Sequence, residues 1–154
     1  MYFLAKYPEW QQKLLNELNS VTPDRVPKMS DALPWMDAFI KESMRMAPPV
    51  GILPNRVTAE DVIVPIPGNH LKKELVLKKG TRVMMSIYGL QYNPRSFSNP
   101  NQFDPERFIR QPEQDNSTRF YGFGGGIRIC KFIFRWFQQC IYTCFRSRHE
   151  FFVA

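Results

Sequence analysis

With 154 residues, 44% hydrophobic and 23% charged, the chain can bury one real core, and its composition excludes a disordered or collagen-like protein. No run of eighteen apolar residues occurs, and the opening MYFLAKYPEW lacks the basic-then-apolar layout of a secretion signal, so neither a membrane anchor nor a leader is expected. The net charge of +7 would suit nucleic acid, anionic lipid or an acidic partner, but the basic residues are scattered and only Lys72/Lys73 and Lys78/Lys79 form pairs; no nucleic-acid partner is expected.

In chain order, residues 8–19 (PEWQQKLLNELN) predict a short amphipathic helix, with proline in its first turn and Trp10, Leu14 and Leu18 recurring every fourth residue. Residues 21–28 hold two prolines and read as a loop. A second helix is expected over 34–46 (PWMDAFIKESMRM), stopped by Pro48 and Pro49. Its inner stripe is Met36, Phe39, Ile40 and Ser43, and Glu42 nearly shares that face. Short strands are expected at 52–58, 62–65, 75–77 and 81–87, broken by Pro, Gly and Lys-Lys. From 92 to 114, prolines at 94, 100, 105 and 112 forbid a long regular element, while Phe97, Phe103 and Phe108 supply anchors for an ordered meander.

The stretch FGGGIRICKF then stands out. It has three consecutive glycines, an arginine and a cysteine, with none of the Ser, Thr, Asn or Asp that ordinary turns use for local hydrogen bonds. Three cysteines, an odd number in a chain without a secretion signal, argue against a disulfide framework. A zinc site is disfavoured because Cys130 lies ten residues before Cys140 and no histidine is near; His70 and His149 read as surface residues. A dinucleotide loop should follow a strand and open a helix, with an acidic residue farther on, and none occurs between Gly122 and His149. A single thiolate ligand to haem iron accounts for every residue type present. Glycines 124 to 126 let the backbone pass close to a flat macrocycle, Arg128 suits a propionate, and Phe123 shields the sulfur.

Residues 123–130, FGGGIRIC, resemble the haem-thiolate signature of the cytochrome P450 monooxygenases, matched at Phe123, Gly126, Arg128 and Cys130. The resemblance implies that Cys130 is the axial ligand of a haem b iron and that Arg128 contacts a propionate. Glu42-Ser43-Met44-Arg45 on the second helix looks like the family's K helix, and Asp104-Pro105-Glu106-Arg107-Phe108 resembles its meander motif. By that likeness Glu42, Arg45 and Arg107 form a structural network that positions the cysteine loop. PNRVTAEDV places Arg56 where the family has a propionate-contacting arginine, and LAKYPEWQQKLLNEL looks like the J helix. The likeness covers residues 1–131 and implies a mainly α fold with small β-sheets, the C-terminal part of a P450 domain.

The same resemblance implies monooxygenation of a small organic substrate, with electrons from an NADPH-dependent reductase, and an endoplasmic-reticulum membrane location for a full-length relative. It also implies that the distal helix and the substrate-recognition helices lie outside this chain. A rival expectation is a non-enzymatic fragment that does not hold haem stably. Residues 132–154 depart from the family. Phe132 stands two residues after the cysteine, where the family has glycine, and Trp136 replaces a usual alanine. From Lys131 onward there are six Phe and two of the three cysteines but no Gly, Leu or Pro. The expectation is a frame or splice boundary near Lys131.

Overall fold

Two helices, each begun by a proline, carry the core. The computed structural model describes residues 2–23, 25, 27–28, 31–66, 74–110 and 120–122; the loop 123–130 and the tail 132–154 lie outside that set. A single-turn helix α1 (Tyr2–Lys6) leads into α2 (Pro8–Val21), and α3 (Pro34–Met46) packs across it. The fourfold spacing buries Trp10, Leu14 and Leu18 of α2 against Met36, Phe39, Ile40 and Met44 of α3. Proline suits both starts, since the first-turn N–H it lacks would have no helical partner.

Leu33, which precedes α3, offers no side-chain cap. The Glu17 carboxylate of α2 does that work instead, accepting Trp35 N–H at 2.8 Å and Met36 N–H at 2.9 Å. At the other end Ala47 closes α3 directly before Pro48 and Pro49, which cannot continue it.

The first residues, which the residue pattern left outside the helix over 8–19 and the J-helix likeness included from Leu4, owe their place to one aromatic ring. Phe103 stacks between Phe3 and Tyr7, with 4.6 Å between centroids on each side, and meets Phe39 edge-on at 5.5 Å. Burying a ring of that size stabilises by ~1.5–3 kcal/mol. Ala38, Phe97 and Phe108 form a second cluster, and Phe120 packs against both clusters.

Between α3 and the meander lie two small antiparallel sheets. One pairs β1 (Arg56–Val57) with β4 (Arg82–Val83); the other pairs β2 (Val62–Pro65) with β3 (Glu74–Leu77), placing Ile63 opposite Val76. The strands expected at 52–58 and 81–87 are therefore far shorter; beyond the paired residues, Leu53 N–H donates to Met85 O at 2.9 Å, Thr58 N–H to Thr81 O at 3.1 Å, and an isolated bridge links Ile52 with Ser86. Ser86 ends the second of these strands. Its hydroxyl accepts Gly89 N–H at 3.0 Å and caps α4 (Ile87–Gln91), so a helix starts where the apolar alternation predicted a strand. Among its described residues the meander has no long element, only the single turn α5 (Arg107–Arg110).

Candidate functional site: a carboxylate buried between two arginines

Glu42 and Arg45 sit one turn apart on α3, and both are 0% exposed. Arg45 grips Glu42 with a two-pronged fork, Nε to Oε2 at 2.7 Å and Nη2 to Oε1 at 2.9 Å. From the meander, Arg107 (5% exposed) donates through Nε to the same Oε1 at 3.3 Å, and Asp104 N–H reaches it at 2.8 Å. The sequence-predicted trio thus converges on one carboxylate.

Two buried guanidiniums on one carboxylate leave a positive excess, and backbone carbonyls answer it. Arg45 Nη1 donates to Gln91 O at 2.9 Å, and Arg107 Nη1 to Ser98 O at 2.7 Å. The Gln102 carbonyl accepts from both arginines, at 3.3 Å from Arg45 and 3.2 Å from Arg107. Asn99, in the left-handed region at φ 47°, turns its carbonyl to within 3.4 Å of Arg107 Nη2. Arg45 also lies over the rings of Tyr92 and Phe97, 5.6 and 5.3 Å from their centroids.

The same short segment faces outward as well. Asp104 pairs with Arg110, while Glu106 pairs with Lys13 of α2 at 2.9 Å and with Arg110 at 3.3 Å. Lys13 Nζ lies 3.3 Å from the Trp35 ring centroid and 4.7 Å from that of Trp10, so one ammonium joins α2, the start of α3 and the meander. The Glu106 carboxyl is held below its usual value by Lys13, whereas burial pushes the Glu17 carboxyl up against the two amides that favour its charge.

Arg56 is exposed on β1 opposite Val83, and among the described residues it makes no contact with the ionic trio. Phe123, Gly126, Arg128 and Cys130 lie outside the described residues. Their approach is described. Phe120 meets Phe108 edge-on at 5.5 Å, and a Cβ on Gly122 would stand 2.5 Å from the tip of the Phe120 ring, so a larger residue there would have to push that ring aside. The buried Gln91 side chain faces the amides of Tyr121 and Gly122. Sequence reasoning missed Gln91 and Glu17, because both serve backbone amides far away in the chain.

The cytochrome P450 family model matches residues 1–131. The chain belongs to the cytochrome P450 family. A probable cytochrome P450 6d4 of Drosophila melanogaster is 36% identical over 138 residues, which is 84% of this chain and 25% of that protein. Cytochrome P450 4F2 of Homo sapiens is 32% identical over 136 residues, with 84% of this chain and 25% of that protein covered. A zebra fish cytochrome P450 solved with progesterone superposes with a TM-score of 0.72 at 31% identity, covering 91% of this chain and 31% of that one. The chain spans about a quarter of the length of the curated P450 relatives it matches. Helices with small antiparallel sheets are the P450 architecture in part, as expected from the sequence. Among the described residues no helix is long and apolar enough to cross a membrane.

Proposed function

We propose that this chain is the proximal, haem-binding part of a haem-thiolate monooxygenase, with Cys130 as the axial ligand of haem b iron. The observation that carries the reading is the Glu42 carboxylate, wholly buried between an arginine of its own helix and one of the meander 65 residues farther on. So costly an arrangement is kept where a loop must be held in one place.

The residues suit the group. A thiolate and an arginine in one glycine-rich loop match an iron with acidic side groups. Arg56 stands exposed on strands that also expose Val57 and Val83, with Met84 exposed just after them, a surface fit for a flat apolar ring with a charged edge. Arg128 and Arg56 would each hold a propionate, Phe123 would keep water from the sulfur, and Gly126 would leave room for the ring. When bound, the haem supplies activation of dioxygen and insertion of one oxygen atom into an organic substrate. Glu42, Arg45 and Arg107 touch no reacting atom and act by holding the meander and the loop that follows it.

A small organic substrate follows from the family, whose relatives here include a steroid 17-alpha-hydroxylase/17,20 lyase of Oryzias latipes. An NADPH-dependent reductase would supply electrons, docking near Arg128 and Lys131, and the full-length protein would sit on the endoplasmic-reticulum membrane. The family match ending at 131 supports reading 132–154 as sequence foreign to the family. A spliced transcript encoding that tail as a normal family exon would refute this.

Replacing Cys130 by serine in the haem-loaded protein tests the assignment. The reduced, carbon monoxide-treated wild type should show the Soret position peculiar to thiolate haem, and Cys130→Ser should lose it; an unchanged spectrum overturns the ligand. One observation favours a second reading for the isolated chain. Both faces of the β2–β3 hairpin expose apolar side chains, among them Ile63 and Val76, and among the described residues nothing covers them, which favours a chain that does not hold haem stably by itself. Haem titration separates the two: stoichiometric uptake supports the first, none supports the second.

A further inference from the structure

The Gln91 carboxamide is buried at 0% exposure beside the lead-in to the cysteine-bearing loop. Both groups facing its terminus are donors, the backbone amides of Tyr121 and Gly122. The atom toward them must therefore be the oxygen, which then accepts at 3.0 and 3.3 Å. The opposite orientation would set N–H against N–H in a dry interior and leave both amides without an acceptor. Two lone pairs meet two amides, so the acceptor is fully used.

The backbone of the same residue carries the second attachment. Its carbonyl accepts Arg45 Nη1 at 2.9 Å, so one residue bonds the ionic trio with its main chain and the loop approach with its side chain. Little can move at this joint. Ile87 and Tyr88 N–H both donate to Gly51 O, at 2.9 and 3.3 Å, and the Tyr92 hydroxyl donates to Met46 O at 2.8 Å. These bonds lock α4 to the chain leaving α3 on both sides of Gln91.

We propose that Gln91 is a positioning residue that transmits the geometry of the Glu42–Arg45–Arg107 network to the cysteine-bearing loop by holding the Tyr121 and Gly122 amides. Its consequence for the metal ligand rests on the haem-thiolate reading; the clamp itself does not.

Hydrogen exchange on the full chain tests the clamp without cofactor, comparing wild type, Gln91→Met (near-isosteric, no oxygen) and Gln91→Glu (acceptor oxygen kept). Gln91→Met should speed exchange of the Tyr121 and Gly122 amides at least tenfold and leave Leu14 and Leu18 unchanged, with Gln91→Glu staying close to wild type. Unchanged rates at Tyr121 and Gly122, or equal acceleration throughout α2, overturn the proposal. With haem supplied, Gln91→Met should also shift the carbon monoxide adduct away from the thiolate Soret position, and an adduct identical to wild type overturns the transmission. A wild type that never shows the thiolate band sinks the functional reading instead, and the exchange rates then decide the clamp alone.

Discussion

Glu42 has four donors on two oxygens, and that count decides what a substitution there does. Arg45→Met would remove the fork and strand the carboxylate with one long bond from Arg107 and one amide, while the Gln91 carbonyl loses its donor. The expected loss is ~3–5 kcal/mol, read by urea unfolding of the chain, because a buried ion pair is broken and the 3.3 Å bond from Arg107 only partly replaces the lost fork. Replacing Glu42, Arg45 and Arg107 together by apolar residues of similar volume should cost less than Arg45→Met alone, since no charge then remains to strand. A triple variant weaker than the single one would show that the trio contributes net stability of its own. Part of this was readable in the sequence. A carboxylate and an arginine at i, i+3 on an apolar helix announce a pair, and the arginine in DPERF became its partner through family likeness. Ser43, placed on the inner stripe, is half-buried as a residue with its hydroxyl turned inward, and that hydroxyl finds no partner among the described residues.

At the scale of elements, proline and apolar spacing located α2 and α3 because those signals are local. The cap of α3 was not legible, since its acceptor comes from the neighbouring helix and no motif links Glu17 to Trp35. Ser86 shows the reverse case, a local cap hidden inside an apolar run that reads as strand. The caps and cross-links also set how helix packing responds to acid. Glu17 is raised above 4.5 by burial, so the folded state keeps a proton that the unfolded chain gives up; its contribution is full below 4.5 and is lost as pH rises through the raised value. Glu106 runs oppositely: lowered from 4.5 by Lys13, it stabilises above 4.5, and that stability is lost as pH falls through the depressed value. Denaturant unfolding from about pH 3 to pH 8 should therefore show a decline above 4.5 that Glu17→Gln flattens, and an acid-side loss that Glu106→Gln flattens. Slopes unaltered by either change would contradict these assignments.

Over the whole molecule, the apolar surface is unevenly kept. The α2–α3 core is closed, while the β2–β3 hairpin shows water Val62, Ile63, Val64, Leu75 and Val76. Apolar pattern in sequence announces that a strand wants cover without saying which surface provides it, and this chain spans about a quarter of its relatives. Ile63 and Val76 are direct partners in the ladder, so Ile63→Lys with Val76→Glu exchanges an apolar pair for a charged one at no loss of register. Sedimentation of the isolated chain should show self-association in wild type and a monomer in the double variant; equal association of both would locate the sticky surface elsewhere.

Chain order gives the ionic trio a history. Glu42 and Arg107 are separated by 65 residues, so at a synthesis rate of about 5–20 residues per second the second arginine follows its carboxylate by about 3–13 seconds. Throughout that interval the helical arginine is the nascent acid's sole charged companion within the finished cluster, and the meander closes over a prepared pair. Translation speed across these codons thereby sets how long a half-neutralised centre must wait for its lid.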